Sequence, residues 1–227
     1  DQLKKLPVDV MGEFSPKELG NLPPEAMGGF DPRRFGALPP AAMKGFKPEQ
    51  LEALSPSIVR KMELEQFANL PAEAFEGFQS KQLKKLPSDL LEEMSPESFD
   101  SLNPDAFSGF KPKKFNDLPT DLLGEIDSDQ FGELKPNLMR KLDDDVIGSI
   151  DPGAFKGLTP KQGEKMNEVV ASNFDPDQIR SIQPECLAAM PGPVFEILKS
   201  DLSDQQLNGL DALQGQGDGE DIGGPVI

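Results

Sequence analysis

One eight-residue pattern repeats along nearly the whole chain and limits the fold more than any other feature. In Phe30 to Ala37, FDPRRFGA, an apolar residue (position a) is followed by a small polar residue (b), a proline (c), two mostly polar residues (d, e), a second apolar residue (f) and two small or polar residues (g, h). Every eighth residue from Leu6 to Leu198 is Leu, Phe, Met or Ile, and all 15 Phe and all 8 Met occupy position a or f. Placement this selective predicts a repeat protein.

The octads are of two kinds, which alternate. Odd octads begin at Leu6 and at every sixteenth residue after it, and they are apolar at position e as well as at a and f. Even octads begin at Phe14 and at every sixteenth residue after it, and they are mostly polar at e. The octads therefore pair into a sixteen-residue repeat, in which odd octads bury a wider face than even ones.

The residues at the octad borders predict one very short helix per octad. Ser, Asp, Asn or Thr often occupies b before proline at c, as in Ser15-Pro16 and Asp31-Pro32, and this order is typical of an N-cap followed by the first helical turn. Glycine clusters at g and h, where a helix end tolerates a left-handed residue. Helices shorter than about 12 residues are unstable alone, so these must be held by packing on neighbours. We therefore predict an all-α solenoid, a superhelix of very short helices. The alternative of a β-solenoid is disfavoured, because a strand ladder would lose a hydrogen-bond donor at each proline.

The pattern predicts one repeat domain over residues 1–213, with a register break near 158–173. Gly163 and Ala171 replace the large f residues there, which predicts either a kink or a small pocket. The apolar spacing from Met166 to Phe174 is that of a single longer helix. A capping helix is predicted near 200–213, followed by a Gly-rich, acidic tail over 214–227 that we expect to be disordered.

Composition excludes several classes of function. The chain has no His, Tyr or Trp, and without histidine most hydrolytic and transition-metal mechanisms are disfavoured, so we predict that it is not an enzyme. With 40 acidic against 23 basic residues the net charge is −17, which disfavours nucleic acid and anionic membrane surfaces as partners. No run approaches the roughly 20 apolar residues that span a membrane. The one cysteine, Cys186, lies at the apolar e position of an odd octad and is predicted to be a small buried residue.

The polar e positions of the even octads form the strongest candidate binding site. Because they recur every sixteen residues, we predict that they lie in a column on one surface and contact an extended protein partner. The alternative is a polar ladder in which neighbouring amides satisfy each other. The predicted column consists of Arg34, Gln50, Gln66, Gln82, Lys114, Gln130, Gln162 and Gln178. No cofactor is predicted; the acidic runs Asp143 to Asp145 and Asp218 to Asp221 offer oxygen ligands for calcium but lack the spacing of a calcium loop.

Two stretches carry a resemblance to a known family. Ser15 to Met27, SPKELGNLPPEAM, and Ser95 to Phe107, SPESFDSLNPDAF, resemble the proline-punctuated helical repeats of the mesothelin, stereocilin and otoancorin family, and similar units occur in repetitive bacterial surface proteins. The resemblance implies a superhelix of short helices, an extracellular location and adhesion or matrix contact. We therefore predict a structural or adhesive protein-interaction module of a secreted or cell-surface protein. The alternatives are an intracellular (cytoplasmic) scaffold for a peptide or helix, and a carrier that holds a small ligand near Gly163 and Ala171.

Overall fold

The chain folds as a series of short helices, one for nearly every octad. The computed structural model describes residues 3–217, and among these residues every regular element is a helix. The prediction of an all-α, solenoid-like repeat fold is therefore confirmed. Backbone contacts divide the chain into two compact units, Asp1–Ile126 (unit 1) and Asp127–Ile227 (unit 2). That the repeats form one continuous domain over 1–213 stays a prediction.

The even octads all form α-helices. In unit 1 these are Pro16–Gly20, Pro32–Gly36, Pro48–Ala53, Leu64–Phe67, Ser80–Leu83, Pro96–Asp100 and Pro112–Asn116. In unit 2 they are Ser128–Gly132, Asp144–Ser149, Pro160–Gly163, Pro176–Ser181 and Gly192–Leu198.

The odd octads form either 3-10 helices or short α-helices. The 3-10 helices are Asp9–Glu13, Pro24–Gly29, Pro40–Gly45, Ala72–Gly77, Pro104–Gly109, Pro136–Lys141 and Pro152–Gly157. The α-helices are Pro56–Val59, Ser88–Glu92, Thr120–Gly124, Glu168–Ala171 and Pro184–Ala189. Outside this scheme lie two further 3-10 turns, Leu3–Lys5 and Lys199–Asp201, and a terminal α-helix, Asp204–Gly217.

Polar N-caps and proline start the helices as the sequence predicts. Ser15 shows the arrangement in full: its hydroxyl accepts the backbone N–H of Glu18, while the Glu18 carboxylate accepts the backbone N–H of Ser15 at 2.9 Å. Pro16 follows as the first helical residue, where its missing N–H costs no hydrogen bond. The same combination of cap and proline starts the helices after Asp31, Ser95 and Asp175.

Packing joins helices that are three octads apart along the chain. In unit 1, Pro48–Ala53 contacts both Pro24–Gly29 and Ala72–Gly77. In unit 2, Pro176–Ser181 contacts Pro152–Gly157, and Pro160–Gly163 contacts Pro184–Ala189. A helix such as Pro48–Ala53 is thereby covered by the helices three octads before and after it, which supplies the stabilisation that so short a helix lacks alone.

The residues at positions a and f form the core. Phenylalanines meet in edge-to-face or tilted pairs. Phe67 and Phe75, from adjacent octads, have ring centroids 5.3 Å apart, and Phe131 and Phe155, from octads three apart, are at 5.0 Å. Phe75 is only 1% exposed and Phe107 is fully buried. This aromatic packing explains why large side chains recur at a and f.

The glycines at position h serve close packing, and the prediction that they adopt a left-handed conformation is wrong. No glycine among residues 3–217 has a positive φ. A Cβ atom added at Gly45 would instead overlap the carbonyl oxygen of Pro16, and one added at Gly157 would overlap that of Ser128. Both carbonyls belong to the first residue of an even helix, so these glycines allow two backbones to approach closely.

These glycines occur in octads that also have alanine at e. The octads with this combination all form 3-10 helices, whereas those with Ile58, Leu90 or Leu122 at e form α-helices. The octads with both small residues contain Ala26 and Gly29, Ala42 and Gly45, Ala74 and Gly77, Ala106 and Gly109, and Ala154 and Gly157. Small side chains at e and h allow the close approach to an even helix. The 3-10 form is not confined to these octads, since Asp9–Glu13, with Val10 at e, and Pro136–Lys141, with Leu138 at e, also adopt it.

The segment over 158–173 does not form the single longer helix that its spacing predicts. It contains two ordinary octad helices, Pro160–Gly163 and Glu168–Ala171. The second starts anew because the Asn167 side chain accepts the backbone N–H of Val170 at 2.9 Å, as an N-cap does. Val169 is consequently turned outward and is 71% exposed. The terminal helix, Asp204–Gly217, overlaps the region near 200–213 where a capping helix is predicted and extends into the predicted tail. The rest of that tail lies outside the described residues.

The role assigned to the h glycines gives a first prediction. We expect Gly45→Ala and Gly77→Ala each to lower the free energy of unfolding by about 1–3 kcal/mol, because the added methyl forces two backbones apart. Equilibrium urea unfolding followed by circular dichroism measures the change.

Gly36→Ala and Gly148→Ala are the matched controls. A Cβ at either position meets no neighbouring atom within 4 Å, so these variants should be neutral or more stable by about 0.5–1 kcal/mol. Equal losses at all four positions would contradict the close-packing role.

Candidate functional site

The glutamines of the predicted surface column lie inside the protein. All six are at most 2% exposed, so the prediction that they form a surface column is wrong. The buried glutamines are Gln50, Gln66, Gln82, Gln130, Gln162 and Gln178. Where these side chains go determines what the interior can do chemically.

Gln66 shows how the local fold orients such a side chain. It is the third residue of its helix, and its side-chain oxygen accepts the backbone N–H of Glu63, the residue that caps the helix. The amide nitrogen then points to the even helix four octads earlier. It donates to the carbonyl oxygens of Phe35 at 3.0 Å and Leu38 at 2.9 Å. These carbonyls lie at or just after the end of the helix Pro32–Gly36, where partners within the helix run out. The Phe35 carbonyl also accepts the backbone N–H of Leu38 at 3.0 Å.

The same three-way arrangement repeats in both units. Gln82 donates to the carbonyls of Leu51 and Leu54 at 2.7 and 2.8 Å and accepts the N–H of Gln79 at 2.7 Å. We name the residues with this full arrangement the glutamine ladder; they are Gln50, Gln66, Gln82, Gln162 and Gln178. Gln130 shares the burial and the cap, since its side-chain oxygen accepts the N–H of Asp127. The ladder amides bond to the backbone and not to one another, so the alternative of mutually satisfied amides is also wrong.

The two cations of the predicted column make the same kind of link. The Arg34 guanidinium pairs with the Asp31 carboxylate and donates to the carbonyl of Lys4 at 2.8 Å and to that of Leu6 at 3.3 Å. The Lys114 ammonium donates to the carbonyls of Leu83 and Leu86. Burial lowers the pKa of Lys114, and the nearby charge of Lys111 lowers it further. Both side chains are part-buried and donate their hydrogen bonds to backbone carbonyls.

Two polar residues at the ladder position cannot make the link, and at Val146 and Val194 the same position is apolar. Glu18 is exposed and its carboxylate has no hydrogen to donate; it accepts from Ser15, which lowers the pKa of Glu18. Ser98 carries a side chain much shorter than glutamine, and it accepts a hydrogen bond from the Ser95 hydroxyl at 2.9 Å.

Gln206 belongs with the ladder, although its position falls outside the sixteen-residue register. It donates to the carbonyls of Ile179 and Ile182 at 2.8 and 2.7 Å, and its oxygen accepts the N–H of Ser203. The sequence does contain a signal for it. Ser203 and Gln206 form the capping-box spacing S-x-x-Q, which also occurs as T-x-x-Q at Thr159 and Gln162.

The space predicted beside Gly163 and Ala171 is filled. A Cβ at Gly163 would lie 2.8 Å from the Cys186 sulfur and 3.4 Å from the Met190 side chain, and Ala171 is itself buried. The predicted small-ligand pocket at this place is therefore wrong, because Cys186 occupies the room that the missing side chain leaves. Cys186 is fully buried, as predicted, and burial raises the pKa of its thiol to about 12.

The acidic runs do not assemble a metal site in the part of the chain that the structure describes. Asp143 to Asp145 occupy the start of the helix Asp144–Ser149, where carboxylates favour the helix dipole. Among residues 3–217 no cluster of three or more Asp, Glu or Cys side chains could hold a metal ion. Asp218 to Asp221 lies outside the described residues.

The exposed charge of unit 1 has a regular component. In six of its odd octads position d carries a carboxylate in the first turn of the helix, and all six are exposed. We name these residues the first-turn acidic set: Asp9, Glu25, Glu73, Asp89, Asp105 and Asp121. The same position in the even octads of unit 1 is basic in four octads and acidic in three, whereas no odd octad of unit 1 has a basic residue there.

Open apolar surfaces occur near the beginning of unit 1 and near the end of unit 2. Two adjoining pits of about 410 and 480 Å³ share Leu6, Phe14 and Leu22 in their lining. A groove of about 460 Å³ lies between the helices Pro184–Ala189 and Asp204–Gly217 and is lined by residues such as Met190 and Phe195. Across residues 3–217, no helix is both long and apolar enough to span a membrane.

Comparison with known proteins gives no relative from which a function could be transferred. No protein-family model and no curated protein matches the sequence. The resemblance to mesothelin-like repeats stays a prediction.

The ladder geometry predicts that Gln66→Met destabilises the fold. Methionine has a similar volume but leaves the Leu38 carbonyl and the Glu63 N–H without these hydrogen bonds, while the Phe35 carbonyl keeps the N–H of Leu38, so we expect a loss of about 1–3 kcal/mol in urea unfolding. Glu65→Met, at the adjacent exposed position, is the control and should change stability by less than about 0.5 kcal/mol. A Gln66→Met variant as stable as the control would contradict the ladder.

The burial of Cys186 predicts a thiol that reacts only after unfolding. With its pKa raised to about 12, the thiol stays protonated at pH 8, and thiolate is the nucleophile. An aromatic disulfide reagent added to the native chain should give a reaction far slower than in guanidinium. Rapid labelling of the native chain at pH 8 would show that the site opens.

Proposed function

We propose that this chain is a non-enzymatic, structural or adhesive protein-interaction module of a secreted or cell-surface protein. The observation that carries the proposal is the division between a closed interior and a regularly charged exterior. Buried amides are engaged with backbone groups, and the sequence contains no histidine or tyrosine to act as a general base. The surface, by contrast, repeats a carboxylate at one register position of unit 1.

The first-turn acidic set supports a partner with positive charge. A carboxylate in the first helical turn is already favourable to its own helix, by about 0.3–1 kcal/mol. If helix stability were the only reason for these carboxylates, they would be expected equally at position d of the even octads. In unit 1 that position instead includes Lys17, Arg33, Lys81 and Lys113. Six of the eight odd octads of unit 1 carry a carboxylate at this position and none carries a basic residue. Together with a net charge of −17, this favours a cationic partner surface that the chain attracts over a distance.

Adhesion gives this proposal a direct test. We expect a surface coated with the chain to support attachment of cells, and attachment to fall as ionic strength rises, because exposed charges are screened by salt. Changing the six carboxylates of the first-turn acidic set to their amides should reduce attachment several-fold.

The control changes the same amount of charge elsewhere in unit 1. Six exposed glutamates outside the set are replaced by glutamine: Glu49, Glu52, Glu65, Glu92, Glu93 and Glu97. Circular dichroism verifies that both variants are folded. Absence of attachment to the unaltered chain would overturn the adhesive function, and equal losses in the two variants would overturn the role of the set.

A further inference from the structure

A cavity of about 220 Å³ in unit 2 has a positively charged lining. It lies where the helix Pro176–Ser181 ends and the terminal helix Asp204–Gly217 begins, and we name it the basic cavity. Lys156 and Arg180 line it, and among the described residues no carboxylate does. The chain as a whole has 40 acidic against 23 basic residues, so this concave surface is opposite in charge to the rest. Such a lining favours a negatively charged ligand.

The basic cavity is built on the same contact as the glutamine ladder. Gln206 belongs to its lining and is only 4% exposed. The amide nitrogen of Gln206 donates to the carbonyls of Ile179 and Ile182, and its oxygen accepts the N–H of Ser203. These bonds hold the start of the terminal helix against the end of an earlier helix. The walls of the cavity are thereby fixed before a ligand arrives, which lowers the ordering cost of binding.

A pit of the same construction lies in the interior of unit 1. It is found beside Gln66, has a volume of about 380 Å³, and is lined by Glu63 and Glu65 but by no basic residue of the described chain. At position g of the earlier helix this pit has Gly36, where the basic cavity has Arg180. The repeat geometry therefore provides the concave shape, and the side chains at a few positions determine its charge.

The two cations of the basic cavity have donors available for a ligand. Arg180 pairs with the Asp177 carboxylate through Nη1 at 3.1 Å, and the rest of its fork of N–H groups remains for other acceptors. Lys156 forms no ion pair within residues 3–217. Both side chains are exposed at the rim and are free to turn towards an anion, and Asp177 is not part of the lining.

The size of the basic cavity and its donors favour a single small oxyanion. Its volume is below the roughly 300–1,000 Å³ of sites for drug-sized ligands. A tetrahedral phosphate or sulfate presents oxygen atoms in several directions, so it can accept from Lys156, from Arg180 and from the exposed amide of Gln205 together. The two oxygen atoms of a carboxylate are already satisfied by one guanidinium fork.

We propose that the basic cavity binds a tetrahedral oxyanion, phosphate or sulfate, either as the free ion or as the end group of an ester. Lys156 and Arg180 pair with its oxygen atoms, and Gln205 adds a neutral hydrogen bond. The first-turn acidic set belongs to unit 1 and is proposed to attract a cationic partner. The basic cavity takes a ligand of the opposite charge, so this inference goes beyond the proposed function and does not depend on it.

The test is a nuclear magnetic resonance titration of the full, isotope-labelled chain. Sodium phosphate, sodium sulfate and glycerol phosphate are added in separate experiments, with sodium chloride keeping the ionic strength constant, because screening alone shifts signals. We expect saturable shifts of backbone amides around the cavity, such as those of Ser181 and Gln205. Binding of the free ions alone assigns the site to a free ion, and binding of glycerol phosphate as well assigns it to an ester group. No saturable shift with any of the three overturns the inference.

Two single variants locate the site. Lys156→Met and Arg180→Met each remove one cation from an exposed side chain and should weaken binding at least about tenfold, as loss of a charge-assisted hydrogen bond does. Lys156→Arg keeps the charge and should bind within about threefold of the unaltered chain. Circular dichroism verifies that the variants are folded.

The control removes more charge from unit 2 outside the cavity. Lys161→Met with Lys165→Met changes two exposed lysines that are not in the lining, and affinity should stay within about twofold. Equal weakening in the control would show that the anion responds to general charge, and unchanged affinity in both single variants would place it elsewhere. Either result overturns the inference and leaves the proposed function untouched.

Discussion

The bond from a buried glutamine to the end of an earlier helix is the interaction on which the rest of the structure depends. A helix of one or two turns leaves nearly all its carbonyls without partners inside it, and a buried carbonyl without a partner is costly. Gln66 removes that cost for the helix Pro32–Gly36 while capping its own helix. One side chain thus ends one helix and starts another four octads later. Proline can recur in most octads without weakening the fold, because few backbone bonds within each helix are needed.

The fold must satisfy contacts between helices at two different spacings along the chain, and small residues allow both. The ladder ties even helices four octads apart, while close packing joins even and odd helices three octads apart. Gly77 shows how the second contact is accommodated, since its Cα lies where a side chain would overlap the carbonyl of Pro48. Glycine and alanine therefore recur at h and e of the same odd octads. The sixteen-residue repeat reflects these two roles: even octads supply the polar link, and odd octads supply the small-residue surface that packs closely against even helices.

The sequence predicts the helices well and the direction of the polar side chains poorly. Position a and f residues, N-caps and prolines are local signals, and each is found where its spacing places it, from Ser15 and Pro16 to Asp175 and Pro176. Local signals cannot tell whether a polar residue at e points outward or inward, because that depends on carbonyls about 30 residues away. The pocket predicted beside Gly163 is wrong for the same reason, because the side chain that fills the space, Cys186, belongs to another octad.

The presence of glutamine instead of glutamate at position e of the even octads is the sequence signal for an inward-pointing side chain. Glutamate caps a helix as well as glutamine does, as Glu18 demonstrates, and this chain has 40 acidic residues. The recurrence of glutamine at this position in so acidic a chain indicates that the side-chain nitrogen is needed as a hydrogen-bond donor. A carboxylate in the same place would face two carbonyl oxygens in a dry interior, which is strongly unfavourable.

The same reasoning is why we propose that recognition uses the outer surfaces. Inside the repeats, ladder amides, the Lys114 ammonium and the Arg34 guanidinium are already committed to backbone groups, so a ligand would have to break these bonds to reach them.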